Sequence, residues 1–239
     1  YTRQFAATAV LIQHPKGNLL VDAGFGNDLQ KHMQLLPSIQ QSPHHMETTV
    51  ARALEYANMP VTTISAVIPT HAHWDHVSGT GDLPNIPLMV TAAAEKFIRS
   101  KAKGTEAINS ISGLSYRRYS FDGPAYLGFP RSHDVYGDGS VVIVPAPGHT
   151  PDSVIVFANL PSGKRFAFVG DLVWQMEGLD IPAEKPWMLR WMIGEDREET
   201  NLDIGRIRAA TKKFPQIKAI PAHDVGAFDG IPEFPESID

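Results

Sequence analysis

The stretch Pro69-Thr70-His71-Ala72-His73-Trp74-Asp75-His76 constrains this chain more than any other. It places three histidines and a carboxylate within six residues, directly after the apolar run Ile64-Ser65-Ala66-Val67-Ile68. That run reads as a buried strand, so the cluster falls at a strand end. In extended backbone His71 and His73 point to the same side and can grip one ion. Asp75 and His76 are adjacent and join that face only if the chain turns there. The turn is expected to open a helix with Asp75 near its N-terminus, which suggests two ions rather than one.

The available ligand types narrow the chemistry further. The chain has no cysteine, which removes thiolate zinc sites, disulfides and cysteine nucleophiles and leaves His, Asp and Glu as strong ligands. With 239 residues and 43% hydrophobic content it can build a sizeable core. A net charge of -5 argues against nucleic acid as a partner, since phosphates are bound by clustered cations. The two short basic pairs, Arg117-Arg118 and Lys212-Lys213, read as solvated surface. No apolar run approaches the ~18–20 residues of a membrane span, so no membrane partner is expected. The chain opens on Tyr1 without methionine, so further residues are expected upstream, with room for a signal. The sequence is compatible with a soluble protein of either the cytoplasm or the periplasm.

Along the chain, residues 5–13 and 19–22 read as a hairpin around Pro15-Lys16-Gly17-Asn18. The second strand runs into Asp22-Ala23-Gly24-Phe25-Gly26, where a dinucleotide fingerprint fails because Leu29 replaces its third glycine. Asp22 is expected to prop the neighbouring loops, and Phe25 to look into a cleft. A helix is expected over 46–58, a strand over 88–91, a helix over 92–100 and a strand over 116–121. Short strands follow at 140–145, 154–160 and 165–169, then a helix over 198–213 with Leu202, Ile204, Ile207 and Ala210 on one side, and a strand over 217–220. No linker divides the chain, so a single domain over 1–239 is expected, made of two halves that share a core.

Three later strands also end in metal-capable residues: His149 after Val141–Val144, Asp171 after Phe166–Gly170, and His223 after Ile217–Ala222. Two ions need about three protein ligands each plus a bridge. His71, His73 and His149 on one ion, Asp75, His76 and His223 on the other, and Asp171 between them meet that count.

The H-x-H-x-D-H motif at 71–76, the Gly-His-Thr around His149, the Val-Gly-Asp at Asp171 and the Pro-Ala-His-Asp at His223 resemble the metallo-β-lactamase-fold hydrolases. Leu20-Val21-Asp22-Ala23-Gly24 matches the early strand of that superfamily. The resemblance implies an α/β fold, a four-layer αββα sandwich of two mixed β-sheets flanked by helices. It also implies two divalent cofactor ions, with zinc expected and iron or manganese suited to the same ligands. In such a site a metal-bridging hydroxide attacks, with Asp75 as the catalytic residue that holds and orients it.

Within the superfamily, zinc β-lactamases of the commonest type use a cysteine where this chain offers Asp171. Glyoxalase II-like thioesterases carry a C-terminal helical region, whereas only 16 residues follow His223. The tRNA-processing nucleases need a basic arm. Acyl-homoserine lactonase-like members fit best in length and organisation, although they usually place a tyrosine where this chain has Trp174, and an indole has no phenolic hydroxyl. The reading is a hydrolase of a lactone or ester in a fairly apolar small molecule. The alternatives are phosphodiester or β-lactam hydrolysis at the same site and, outside hydrolysis, a mononuclear iron persulfide dioxygenase. Phe25, Trp74, Trp174, Trp187 and Trp191 are the candidate substrate pocket, with Trp174 to Met192 expected as an apolar lid or as packing.

Overall fold

The computed structural model describes residues 5–38, 41, 43–181 and 185–239. The chain forms two compact units, one of Ala7–Tyr119 with Glu233–Ser237 and one of Ser120–Pro232 with the two chain ends.

The N-terminal unit contains β1 (Val10–Ile12), β2 (Asn18–Val21), α1 (Leu29–Gln34), α2 (Val50–Tyr56), β3 (Ile64–Ile68), α3 (Trp74–Val77), β4 (Leu88–Thr91), α4 (Ala92–Arg99), α5 (Glu106–Ser110) and β5 (Tyr116–Tyr119). Its five strands lie in the order β1-β2-β3-β4-β5. The expected hairpin is present, with Val10 opposite Val21 and the turn closed by Gly17 N donating to His14 O at 2.9 Å. The other pairings are parallel, so β3 is flanked on both sides and Val67 and Ile68 are almost completely buried. That double burial explains the near-continuous apolar run. Thr49 and Thr91 cap α2 and α4, each accepting a backbone N–H three residues on, as threonine at an N-cap is suited to do. Leu20, Leu54, Val67, Leu88, Val90 and Ile98 belong to the core of this unit. Each such side chain contributes about 1.5–3 kcal/mol on burial.

The C-terminal unit contains β6 (His133–Asp134), β7 (Val141–Pro145), β8 (Val154–Asn159), β9 (Arg165–Gly170), α6 (Glu177–Asp180), α7 (Trp187–Ile193), α8 (Arg197–Lys213) and β10 (Ile217–Pro221). Its sheet runs β10-β9-β8-β7-β6, with only β9 and β10 parallel. The Asp138-Gly139 turn lies in the β6–β7 connection, where the two Asp134 oxygens accept from Gly137 N and Gly139 N. The Asp196 carboxylate accepts from the N–H groups of Glu198 and Glu199 and so starts α8. Ile204 and Ile207 of that helix enter a core with Val144, Ile155, Phe157 and Val169. Leu202, expected on the same apolar side, is instead 49% exposed, since it lies two positions before Ile204 and therefore on another face.

Each half therefore has a five-stranded mixed sheet and helices, as the α/β reading requires.

Candidate metal centre

In the N-terminal unit the end of β3 delivers the opening motif. Thr70 and His71 are buried, and His73 is the extended residue before α3, with φ -68° and ψ 152°. The His71 Nε2 and His73 Nδ1 atoms lie 2.9 Å apart, so these two imidazoles converge on one side as their spacing predicts. The chain then turns into α3, which places Asp75 in its first turn with Oδ1 3.9 Å from Nε2 of His76.

Asp22 holds, through its carboxylate, the turn that follows β3. Its left-handed backbone (φ 58°) aims the carboxylate at the motif, where Oδ1 accepts from Thr70 N at 2.6 Å and Oδ2 from Thr70 Oγ1 at 2.9 Å. Oδ2 also lies 2.8 Å from His76 Nδ1. A buried carboxylate there holds the proton on Nδ1 and leaves the lone pair on Nε2. The glycines beside Asp22 serve close packing rather than phosphate binding. Gly79 N donates to Gly24 O at 2.9 Å, and a Cβ on Gly26 would come within 2.5 Å of Ser78 O.

In the C-terminal unit three strand ends meet. Asp171 follows β9, and its Oδ1 lies 2.9 Å from Nε2 of His223, which follows β10. Its Oδ2 lies 3.4 Å from Nε2 of His149, which follows β7. All three side chains are buried. His223 Nδ1 donates to the carbonyl of Ala6 at 2.5 Å, again leaving the lone pair on Nε2. His149 Nδ1 lies 3.1 Å from Glu195 Oε2. Burial pushes the Glu195 carboxyl above the usual range, while the Lys185 ammonium pulls it down.

Glu195 and Lys185 were not legible as members of this group. The pairing of His149 with Glu195 spans 46 residues, and the only local sign is a Gly-Glu-Asp junction between two helices. Trp174 proves to be a donor: its Nε1–H bonds Asp171 Oδ2 at 2.9 Å.

The donor set fits divalent metal ions. It consists of imidazole nitrogens and carboxylate oxygens, and in His76, His149 and His223 a protein oxygen lies at hydrogen-bond distance from Nδ1. Such partners orient ligating histidines and raise their basicity. The ligand atoms of His71 and His73, of Asp75 and His76, and of His149 and Asp171 lie within 4.8 Å of each other in each pair.

The candidate pocket residues divide among different surroundings. Phe25 stacks on Trp74 with centroids 5.4 Å apart and planes 15° from parallel. Trp174 lines a cavity of about 160 Å3 with Phe5, Leu172, Lys185, Arg190 and Ile204. Trp187 and Trp191 stand on α7, 73% and 76% exposed, and among the described residues they do not line that cavity.

The model of the metallo-β-lactamase superfamily matches residues 2–221, so the chain belongs to that superfamily. The class is that of metal-dependent hydrolases, and the chain is one of them. Among its relatives is a "Probable metallo-hydrolase" of Mycobacterium tuberculosis, 28% identical over 90% of this chain and 73% of the relative. The N-acyl homoserine lactonase AttM of Rhizobium radiobacter is 22% identical over 95% of this chain and 84% of its own length. Of solved structures, a variant of B. thuringiensis AiiA with N-decanoyl-L-homoserine at its active site superposes with a TM-score of 0.74. That likeness covers 96% of this chain and 86% of the other at 19% identity, and it shows the shared fold. No helix of the described residues is long and apolar enough to cross a membrane.

Proposed function

We infer that the chain hydrolyses a lactone or ester bond in a fairly apolar small molecule, with two divalent ions, zinc foremost. The observation that carries this reading is the pairing of anchored imidazoles with carboxylates: Nε2 of His76 toward Asp75, and Nε2 of His149 and His223 toward Asp171. In this reading the two halves act as one domain. His71, His73 and His149 hold one ion, Asp75, His76 and His223 the other, and Asp171 serves both. Bound there, divalent ions supply Lewis acidity that activates water and polarises a carbonyl.

The protein's own groups do the rest. Asp75 orients the attacking water with its carboxylate, and it is the residue on which turnover depends. Asp22, Glu195 and the Ala6 carbonyl keep three imidazoles in the ligating tautomer. Trp174 donates to Asp171 where related lactonases usually carry a tyrosine, and its ring offers an apolar wall beside Phe5. The lactonase names among the relatives and the N-decanoyl-L-homoserine bound in a chain of the same fold support an acyl lactone as substrate class.

The test is a panel of N-acyl homoserine lactones, aryl esters, thioesters, phosphodiesters and β-lactams with zinc-loaded protein. Lactone or ester turnover, two metal equivalents per chain and loss of activity with chelator are expected. Asp75→Ala should fold and be inactive. A single tightly held iron with no hydrolysis, or an active Asp75→Ala protein, defeats the reading.

A further inference from the structure

His149 Nδ1 sits between two partners of opposite kind. Glu195 Oε2 lies 3.1 Å from it and Lys185 Nζ 3.0 Å. A carboxylate only accepts and an ammonium only donates, so the ring nitrogen must serve one or the other. Donation to Glu195 leaves the Nε2 lone pair free for a metal. Acceptance from Lys185 puts the ring proton on Nε2, which faces Asp171 Oδ2 at 3.4 Å, and that form of the ring is closed to a metal. The three side chains are 2%, 2% and 7% exposed for His149, Glu195 and Lys185, so bulk water does not settle the contest.

The surrounding structure favours the carboxylate. Lys185 Nζ already donates to Glu195 Oε2 at 2.5 Å and to the backbone carbonyl of Asp171 at 2.6 Å. Glu195 is held firmly: Gly194 ends α7 in the left-handed conformation (φ 75°), and Glu195 N donates to Arg190 O at 3.0 Å. Asp196 N then donates to Gly148 O at 2.8 Å, which fixes this junction to the loop that carries His149.

We propose that Glu195 is a positioning residue that selects the metal-binding tautomer of His149, and that Lys185 holds Glu195 in place yet selects the opposite tautomer once Glu195 is removed. The inference rests on the reading of His149 as a ligand, but the tautomer itself is measurable without metal. In Glu195→Ala the Lys185 ammonium stays at hydrogen-bond distance from Nδ1. Long-range 15N–1H correlation spectra of the metal-free proteins at pH 8 should show the His149 proton on Nδ1 in the wild type and on Nε2 in Glu195→Ala. Zinc affinity, measured by competition with a chelating dye, should fall about 10–100-fold in that variant. Adding Lys185→Met should recover part of that loss, because no ammonium then competes for the nitrogen. Glu195→Leu, which removes every acceptor while keeping the bulk, gives the same readouts if the alanine variant does not fold. A wild-type proton on Nε2, unchanged tautomer and affinity in both Glu195 variants, or a double variant no tighter than the single one overturns the proposal. A wild type that binds no zinc would instead defeat the metal reading, and the spectra would still decide the tautomer.

Discussion

Asp22 Oδ2 lies 2.8 Å from Nδ1 of His76, 54 residues further along the chain, and both groups are almost completely buried. The same carboxylate accepts from the backbone and side chain of Thr70, so one residue at the end of β2 shapes the whole turn after β3. Strand pairing makes this possible: β2 and β3 are parallel neighbours, with Val21 opposite Ile68, so their ends emerge side by side.

Asp22→Ala should therefore act on His76 before it acts on His71 and His73. With His76 holding an ion as proposed, loss of the anchor is expected to cut affinity for that ion about 10–100-fold. Leaving the buried Thr70 N–H without its acceptor should cost about 1–3 kcal/mol of stability. Stepwise zinc titration with urea unfolding checks both effects. Two equivalents bound at wild-type affinity would show that Asp22 does not orient a ligand.

Gly104 bears on the other side of the motif. Its backbone is left-handed (φ 89°), and a Cβ there would come within 2.6 Å of His73 Nε2. Gly104→Ala should destabilise the protein by about 1–2 kcal/mol, the cost of a side chain in that backbone region. It should also push the His73 ring from its approach to His71 and weaken metal binding. Thermal unfolding with a zinc titration tests this, and unchanged zinc affinity would mean the ring has room to yield.

Much of this was legible because strands and ligands share one logic. The runs 64–68, 88–91 and 217–220 are buried on both faces and bounded by turn residues, so they read as strands, and the candidate ligands His71, His149, Asp171 and His223 follow shortly after the ends of β3, β7, β9 and β10. The short helix α1 was not legible, because six residues carry too little periodicity, even though its His32 and Met33 are buried. Glu195 and Lys185 were hidden for a different reason: buried charges that meet a histidine 46 and 36 residues away leave no local pattern. Trp174 was read through the hydroxyl it lacks, while the structure uses the N–H it has.

Asp203 sets a pH dependence that is independent of metal. It is fully buried on α8, Arg206 donates to its Oδ1 at 2.6 Å, and its Oδ2 has no hydrogen-bond partner among the described residues. Burial pushes its carboxyl up to about 6, against the pull of Arg206. The folded value lies above the unfolded one near 3.9, so its stabilising contribution is complete below about pH 4 and is lost as pH rises through 6. The loss is of order 3 kcal/mol. Asp203→Asn should remove that component, so the variant should gain on the wild type by about this amount between pH 4 and pH 7.5. Urea midpoints at the two pH values measure the gain, and a constant difference would place the Asp203 proton elsewhere in the range.

Trp174 combines two roles that substitution can separate. Its Nε1–H bonds the Asp171 carboxylate, while its ring packs edge-on to Phe5 at 5.9 Å in the cavity wall. Trp174→Phe keeps the apolar wall and removes the donor, so it should lower kcat for lactones of every chain length by a similar factor while the dependence of KM on chain length survives. Trp174→Ala removes both, so KM should also rise more for a decanoyl than for a butanoyl lactone, because each methylene that loses burial forfeits up to ~0.8 kcal/mol. Steady-state kinetics on the two substrates with the two variants separates the roles. If Trp174→Ala raised KM equally for both lactones, the ring would be packing the loop and the acyl chain would lie elsewhere.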